Sequence, residues 1–404
     1  DPLGQSQVLP YLIELTRMGY EFDIISFEKQ DRFPVHKSTI EQLILGTNIR
    51  WHPLKYTKRP PILSTLLDIR SMQSKASKLI RQYDHDIIHS RSYIPSLVAR
   101  KLSNRHNLPF IFDMRGFWAD ERVEGGIWNI DDPMYRMIYR YFKRLEIRLL
   151  QEAAAVVSLT HKGKDEISTW KSLTDISAKI FVIPCCTDID HFNPENTTTK
   201  SQKASDLAQK IKDSKQSPVL IYLGAIGTWY MLSEMLEFFK AVTQQLPDAV
   251  LLFITTESES TILNECSRIG VSHENVMVTE ATRSEVPELL SLANYGLFFI
   301  RPTFSKTASS PTKQAEFMAM GIPVICNSGV GDTDTIVKEY GSGFILRDTS
   351  NKDYQEGIKY IIESSGSDKQ AIRAGAIEYF SLFKGAEAYH NVYNSILSGD
   401  KAHS

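Results

Sequence analysis

The sequence has little cysteine and no excess of either charge, and both shortages exclude classes of protein. Only four of its 404 residues are cysteines, and their spacing fits neither a disulfide scaffold nor a zinc site. We therefore expect a reducing compartment. Lys and Arg number 46 against 48 Asp and Glu, so bulk positive charge does not indicate a nucleic-acid partner.

Long apolar runs are absent as well. No run approaches the roughly 20 apolar residues that cross a bilayer, and no basic-then-apolar leader opens the sequence. We expect a cytoplasmic protein, with peripheral contact to the inner face of the plasma membrane as its form of membrane association. The residues that are present, 42% of them hydrophobic, suffice for a large core divided between two or three domains.

Helical apolar spacing alternates with short apolar runs along the chain. In the first half, helical patterns at 7–18, 63–83, 94–102, 132–152 and 162–170 are interleaved with strand-like runs at 22–27, 86–89, 108–113, 155–159 and 180–184. In the second half, strand-like runs fall at 219–223, 250–255, 276–279, 295–300, 323–326 and 343–346. This alternation predicts parallel sheets with helical crossovers.

A polar stretch at 190–216 separates the two series and predicts the domain boundary. We expect an N-terminal domain over 1–195, a linker over 196–216 and a C-terminal domain over 217–385. Residues 386–404 form a helix and tail, and the helix around 387–397 is expected to return to the first domain.

Charge is uneven along the chain. Residues 1–150 carry 23 Lys and Arg against 17 Asp and Glu, whereas the remaining residues carry 23 against 31. The segment 135–150 interleaves aromatic residues with five basic ones. One apolar stripe must pack on a sheet, and core packing alone is one interpretation. The other is contact between the basic residues and an anionic membrane surface.

The segment from Ser309 to Ile325 predicts a loop, a helix, a turn and a strand. Ser310 suits the N-cap, Pro311 the first helical position and Gly321 the end of the helix. The N–H groups near Thr312 and the cationic Lys313 favour a pyrophosphate. Glu316 follows one turn later, within reach of the ribose hydroxyls of the same ligand. The alternative is an ordinary surface helix with a solvated pair of Lys313 and Glu316.

With the Met-Gly-Ile-Pro-Val run that follows, this segment resembles the retaining nucleotide-sugar glycosyltransferases of family 4. In that family a Glu-x7-Glu motif spans the same loop and helix. Glu316 matches the second, ribose-binding glutamate, whereas Ala308 stands in place of the first. The resemblance implies a variant branch in which Lys313 contacts the diphosphate and helps it to depart.

Two further segments of the second half match the same family. Leu220–Gly227 resembles the first strand and glycine loop of its C-terminal domain, which implies that Gly224 and Gly227 lie against the donor. Arg283 lies in a segment that resembles the one near the donor base, and a helix-capping role is the alternative. The donor-binding residues implied by the resemblance are Gly224, Gly227, Arg283, Ser310, Pro311, Thr312, Lys313 and Glu316.

In the first half, Gly4-Gln5-Ser6-Gln7 looks like the family's loop after its first strand. The strand that would precede it is not in the sequence, so we expect the natural N-terminus to lie upstream. Asp113 and Arg115 follow a predicted strand at its carboxyl end, where ligands bind in open α/β sheets.

We predict that Asp113 and Arg115 are catalytic, by orienting an acceptor hydroxyl or stabilising the leaving diphosphate. A structural ion pair is the alternative. The acceptor-side candidates are Gly4, Gln5, His89, Arg91 and Asp120.

The resemblance implies a GT-B fold, an α/β architecture of two Rossmann-like, doubly wound parallel-sheet domains facing across a cleft. It also implies transfer of a sugar, with retention, from a nucleotide diphosphate donor to a carbohydrate or lipid-linked acceptor in bacterial surface polysaccharide, lipopolysaccharide or glycolipid assembly. No Asp-x-Asp cluster stands in a convincing place, so we expect no metal and no cofactor. A sugar-nucleotide epimerase of the same fold and a catalytically silent binding protein are the alternatives.

Overall fold

The computed structural model describes residues 2–60, 63–197, 201–212, 217–364 and 368–400. The chain forms two compact units, the first made of Asp1–Pro184 with Leu382–Ser404 and the second of Cys185–Ser381. Residues 198–200 and 213–216 of the expected linker, and 401–404 of the expected tail, lie outside the described residues.

The elements of the first unit alternate between helix and strand up to Pro184. In chain order they are α1 Pro2–Gln7, α2 Leu9–Arg17, β1 Phe22–Glu28, α3 Phe33–Ile44, β2 Ile49–Lys55, α4 Leu63–Gln82, β3 Ile88–Arg91, α5 Tyr93–His106, β4 Phe110–Asp113, α6 Trp118–Glu124, α7 Pro133–Glu152, β5 Ala155–Ser158, α8 His161–Ser168 and β6 Ile180–Val182.

The second unit continues the alternation, and one last helix follows it. These elements are α9 Gln202–Lys212, β7 Val219–Leu223, α10 Leu232–Gln245, β8 Val250–Ile254, α11 Glu259–Ile269, β9 Val276–Thr279, α12 Val286–Leu290, β10 Tyr295–Phe298, α13 Thr312–Ala319, β11 Val324–Asn327, α14 Thr333–Glu339, β12 Gly343–Leu346, α15 Asn351–Glu363, α16 Lys369–Phe380 and α17 Leu382–Asp400.

All strand pairs within the named sheets are parallel. In the first unit, β1 pairs with β2, and β3, β4, β5 and β6 form a four-stranded sheet in sequence order. No ladder joins β1 to β3 in the part of the chain that the structure describes. Helix α17 returns to the first unit and packs against α2.

The second unit is built on a six-stranded sheet in the order β12, β11, β10, β7, β8, β9. Strands β7 and β8 are buried along their whole length, as expected for a sheet with helices on both faces. The order reverses between β7 and β10. Such a switch point leaves a crevice at the carboxyl ends of its two strands, where ligands bind in doubly wound folds.

The predicted architecture of two parallel-sheet α/β halves is confirmed, but the boundary differs from the expected one. The first unit ends at Pro184 rather than at residue 195, and the second ends at Ser381 rather than at 385. Helix α9 occupies much of the expected linker, and Ala204 on that helix is fully buried in the core of the second unit. Helix α9 was not predicted because most of its residues are polar and only one of its faces is apolar.

Among the described helices, none combines the length and the apolar character needed to cross a membrane.

Candidate active site

The N-terminus of α13 lies beside the switch point of the second unit. Pro311 is the N-cap residue and makes no capping hydrogen bond through its side chain. The prediction that Ser310 caps the helix is wrong, because the Ser310 hydroxyl instead accepts a hydrogen bond of 3.1 Å from the backbone N–H of Cys185. Thr312 is the first helical residue, and the orphan N–H groups of this first turn can accept an anionic ligand.

Lys313 is buried in an aromatic pocket. Its ammonium donates a hydrogen bond of 3.2 Å to the hydroxyl of Tyr222, and it lies 3.5 Å from the ring centroid of Tyr230. Burial lowers the pKa of Lys313 well below its usual value, and the nearby Glu316 offsets only part of that effect. An anion bound here would restore the charged form, since it would supply the counter-charge that the pocket does not provide.

Glu316 and Arg283 form the next part of the site. Burial raises the pKa of Glu316 to about 7, although Arg283 and Lys313 act in the opposite direction. The closest approach of the Arg283 guanidinium to the carboxylate is 4.0 Å, so the pair is loose. Arg283 also lies over the ring of Phe192, 5.6 Å from its centroid. A largely buried carboxylate without a tight partner can accept hydrogen bonds from a diol.

The two glycines of the loop after β7 differ in backbone conformation and in the space around them. Gly224 has φ of +109°, a conformation that side chains disfavour, and Lys313 Nζ lies 3.7 Å from where a Cβ would stand. Apart from Gly227 and its two chain neighbours, no residue that the structure describes has an atom within 4 Å of the corresponding position on Gly227. The fold therefore explains Gly224, and the open space beside Gly227 is where a ligand could approach the backbone.

A second buried lysine lies in the short 3-10 helix Phe304–Ala308 before α13 and was not predicted. Lys306 stacks on the ring of Trp229 at 3.8 Å, two residues before Ala308, which is buried at the position of the missing glutamate. The nearest sequence signal was the aromatic pair Trp229 and Tyr230, which follows the glycine loop. The sequence alone does not show that both rings lie against lysine side chains, so this part of the site could not be predicted.

In the first unit, the carboxyl ends of β3 and β4 bring four predicted residues together. The Asp113 carboxylate is buried, with His89 Nε2 at 3.8 Å and Arg91 at 3.9 Å. Burial alone would raise the pKa of Asp113, but Arg115, His89 and Arg91 outweigh it and hold the value at about 2. One carboxylate oxygen, Oδ1, is buried without a hydrogen-bond partner in the described structure.

Two tyrosines of α17 complete this cluster and were not predicted. Tyr389 donates a hydrogen bond of 3.1 Å to Asp113, and the Tyr393 hydroxyl lies 2.8 Å from Nδ1 of His89. The backbone is strained at the same edge, because Ser92 and Arg115 have φ of 70° and 58°. Such conformations persist where the surrounding structure enforces them, often at functional sites.

The other acceptor-side candidates lie in different settings. Gly4 and Gln5 belong to helix α1 rather than to the expected loop, although the backbone oxygen of Gln7 in the same helix accepts a hydrogen bond from Arg91. Asp120 lies in a buried network of its own, where it accepts hydrogen bonds of 2.8 Å from both Tyr139 and Lys143.

Within the described residues, no three His, Cys, Asp or Glu side chains are grouped so that they could hold a metal ion.

Comparison with known families matches both halves of the chain. Residues 5–191 match the family model described as Glycosyltransferase Family 4, and residues 204–377 match the one described as Glycosyl transferases group 1. Between them the matches span most of the chain. No curated protein matches the sequence significantly.

Solved structures resemble this one over nearly their whole length. A glycosyltransferase from Rickettsia africae ESF-5 is 17% identical with a TM-score of 0.68, covering 98% of this chain and 96% of that one. A sucrose-phosphate synthase from Thermosynechococcus elongatus is 15% identical with a TM-score of 0.70, covering 96% and 92%.

The Anabaena protein HepE, in complex with UDP and glucose, is 14% identical with a TM-score of 0.68, covering 98% of this chain and 97% of that one. At these identities the likeness shows the fold alone, which is GT-B.

Proposed function

The chain belongs to the glycosyltransferases of the family 4 type, and from this premise we propose that it transfers a sugar from a nucleotide diphosphate donor to an acceptor hydroxyl with retention. The bond between the anomeric carbon and the diphosphate oxygen breaks, and the acceptor oxygen bonds to the same carbon. The proton of the acceptor hydroxyl passes to the departing diphosphate. No protein nucleophile takes part.

The observation that carries the proposal is the buried ammonium of Lys313 at the switch point of the second unit. It lies in the first turn of α13 and beside Gly224, so the helix N-terminus, the glycine loop and the lysine converge on one place. A diphosphate bound there would receive backbone N–H groups and a cation together. These groups stabilise negative charge as it develops on the leaving group, in a pocket that already excludes water.

Glu316 fits the ribose of the same donor. It follows Lys313 by three residues, which places the two side chains on neighbouring positions of α13. Lys313 then holds the phosphates and Glu316 accepts hydrogen bonds from the ribose hydroxyls. Because the relative HepE is described with UDP and glucose, UDP is the first nucleotide to test.

The acceptor side of the proposal rests on the cluster around Asp113. We assign Asp113 and Arg115 to orienting the acceptor hydroxyl, with His89 and Arg91 beside them. The acceptor we propose is a carbohydrate or lipid-linked glycan of bacterial surface polysaccharide or glycolipid assembly, modified in the cytoplasm without a metal ion.

The deciding experiment is a titration with UDP, GDP, ADP and their sugar conjugates in the presence of a chelator. We expect one nucleotide family to bind saturably and Lys313→Ala and Glu316→Ala to weaken that binding. For Lys313→Ala we expect a weakening of about 100-fold, as when a hydrogen bond to a charged group worth about 2.7 kcal/mol is lost. Lys352→Ala removes an exposed lysine of the same unit and serves as the control.

Two results would contradict the proposal. If none of the nucleotides binds the folded protein, the pyrophosphate site is not at Lys313. If transfer activity disappears with chelator and returns with a divalent cation, metal independence is wrong. Isomerisation of the donor sugar without any acceptor would instead support an epimerase.

A further inference from the structure

Helix α7 carries a row of arginines that the proposed transfer reaction does not use. Arg136, Arg140, Arg144 and Arg148 recur every four residues, and all four side chains are exposed. Since residues four apart on a helix lie one above another, the row follows one side of α7. The opposite side of the same helix packs into the core of the first unit, where Leu149 is fully buried.

The row lines a groove between α7 and α5 of about 610 Å³. Two arginines that line the groove are neutralised or tied to the backbone. Arg100 of α5 binds Glu152 through two hydrogen bonds of 2.6 Å, and Arg136 donates to the backbone oxygen of Ile130. Among the described residues that line the groove, none is acidic.

The other three arginines of the groove are different. The side chains of Arg140, Arg144 and Arg148 have no hydrogen bond or ion pair with any residue that the structure describes. Like charges four residues apart on a helix destabilise it, so the row costs stability unless something anionic neutralises it. A guanidinium presents a planar fork of donors that matches a phosphate with two parallel hydrogen bonds. Charge and geometry therefore both fit a row of phosphates.

Apolar side chains beside the row indicate which source of phosphates fits. Met137 is 66% exposed and Tyr141 51% exposed, and both line the same groove. A soluble polyanion would leave them in water. At a membrane surface, long apolar and aromatic side chains enter the boundary between headgroups and acyl chains while arginines stay with the phosphates.

A neighbouring helix also exposes apolar side chains. Helix α5 packs against both α7 and α4. The first turns of α4 expose three leucines, Leu63, Leu66 and Leu67, each more than half exposed. Clusters of large exposed apolar side chains mark interaction surfaces rather than ordinary solvated ones.

We propose that the groove between α5 and α7 docks the protein on an anionic lipid bilayer, with Arg140, Arg144 and Arg148 holding lipid phosphates and Met137 and Tyr141 entering the headgroup boundary. This surface is independent of the proposed sugar transfer. Its partner is a bilayer surface rather than a single phosphate ligand, because the row is one-dimensional, open along its length and flanked by apolar residues.

The test is cosedimentation of the full chain with vesicles. Vesicles of phosphatidylglycerol mixed with phosphatidylcholine are compared with vesicles of phosphatidylcholine alone, at low and high salt. Each basic side chain near an anionic surface strengthens binding roughly fivefold, so the triple variant Arg140→Gln, Arg144→Gln, Arg148→Gln should bind about 100-fold more weakly. Met137→Ser should weaken binding without changing its salt dependence.

The control removes the same charge from the second unit through Lys338→Gln, Lys352→Gln and Lys359→Gln, all exposed. We expect it to bind vesicles like the unaltered protein, and both triple variants to keep their nucleotide affinity as a check of folding. Equal binding by the two triple variants, binding to phosphatidylcholine alone, or no vesicle binding would overturn the proposal. So would binding of heparin or RNA, but not vesicles, through the three arginines.

Discussion

Two buried ionisable residues, Lys313 and Asp113, show how differently the two units treat charge. For Lys313, burial dominates, and the pKa falls well below its usual value. For Asp113, burial is outweighed by Arg115, His89 and Arg91, and the pKa is lowered to about 2. The Asp113 cluster thus already contains the charges that balance it, whereas the Lys313 pocket gains a balanced charge only when an anion enters. This difference supports placing the proposed diphosphate site in the second unit.

The raised pKa of Glu316 predicts how nucleotide affinity depends on pH. Because burial brings this pKa to about 7, Glu316 loses its charge as the pH falls through that value. A protonated carboxyl accepts hydrogen bonds less well, so affinity should fall on the acid side of about 7. Glu316→Gln should bind more weakly above pH 7 and lose this dependence.

Calorimetric titration with UDP on both sides of pH 7 measures this pH dependence of nucleotide affinity. The control is Glu274→Gln, which changes an exposed glutamate of the same unit. An acid limb that survives unchanged in Glu316→Gln would assign the titration to another group.

The contacts of Asp23 lead to a prediction about the stability of the protein rather than its function. Its carboxylate binds Arg50 through two hydrogen bonds and also contacts His52 and His85, at 2.7 and 3.0 Å. Burial raises the pKa of Asp23, but these three partners outweigh it and lower the pKa well below the ordinary 3.8. A lowered pKa stabilises the folded state above the unfolded-state value, and this contribution is lost as the pH falls below it.

We therefore expect Asp23→Asn to lower the free energy of unfolding by about 2 kcal/mol at neutral pH, less than for a fully buried pair because Arg50 is partly exposed. Urea unfolding at a series of pH values should show this difference shrinking as the pH falls below 3.8. A difference that stays constant with pH would mean that packing, not charge, explains the loss.

At the scale of elements, local patterns predicted most of the helices and strands, and the failures have physical causes. Strand β2 was not predicted because Pro53 interrupts its apolar alternation. A proline is tolerated there because β2 is an edge strand that pairs only with β1. Helix α9 was hidden by its polar surface. The glycine loop and the loop before α13 were located correctly, because glycine, proline and capping residues act over a few positions.

Contacts between distant elements could not be predicted in this way. Tyr389 reaches Asp113 across 276 residues, and Lys313 meets Tyr222 across 91. No spacing rule connects such pairs, since they depend on how whole strands and helices pack. Hence the sequence indicated individual residues of both candidate sites, but not the distant partners that set their charge.

We expect the two tyrosines of α17, Tyr389 and Tyr393, to contribute differently to the free energy of unfolding. Tyr389→Phe removes a hydrogen bond to a buried carboxylate, so we expect a loss of about 2 kcal/mol in unfolding free energy. Tyr393→Phe removes one to the histidine His89, and about 1 kcal/mol is expected. Urea unfolding of the two variants provides matched changes on one helix. If Tyr393→Phe were the more destabilising, the pairing of Asp113 with α17 would not be the stronger contact.

At the scale of the whole molecule, the chain is two units with separate cores, and the proposed donor site lies entirely within one of them. The residues of that site, from Tyr222 to Glu316, all belong to Cys185–Ser381. A ligand stabilises only the part of a protein whose unfolding releases it. Nucleotide binding should therefore act on the second unit before the first.

Calorimetric unfolding tests this separation. At a nucleotide concentration about 100 times the dissociation constant, ligand binding adds about 2.7 kcal/mol, which for a unit of this size raises the midpoint by roughly 5 to 10 °C. We expect UDP to shift one of two transitions and to shift neither in Lys313→Ala, whereas Tyr389→Phe should lower the other. A single transition that UDP shifts as a whole would show that the two units unfold together, because stabilising one core would then protect both.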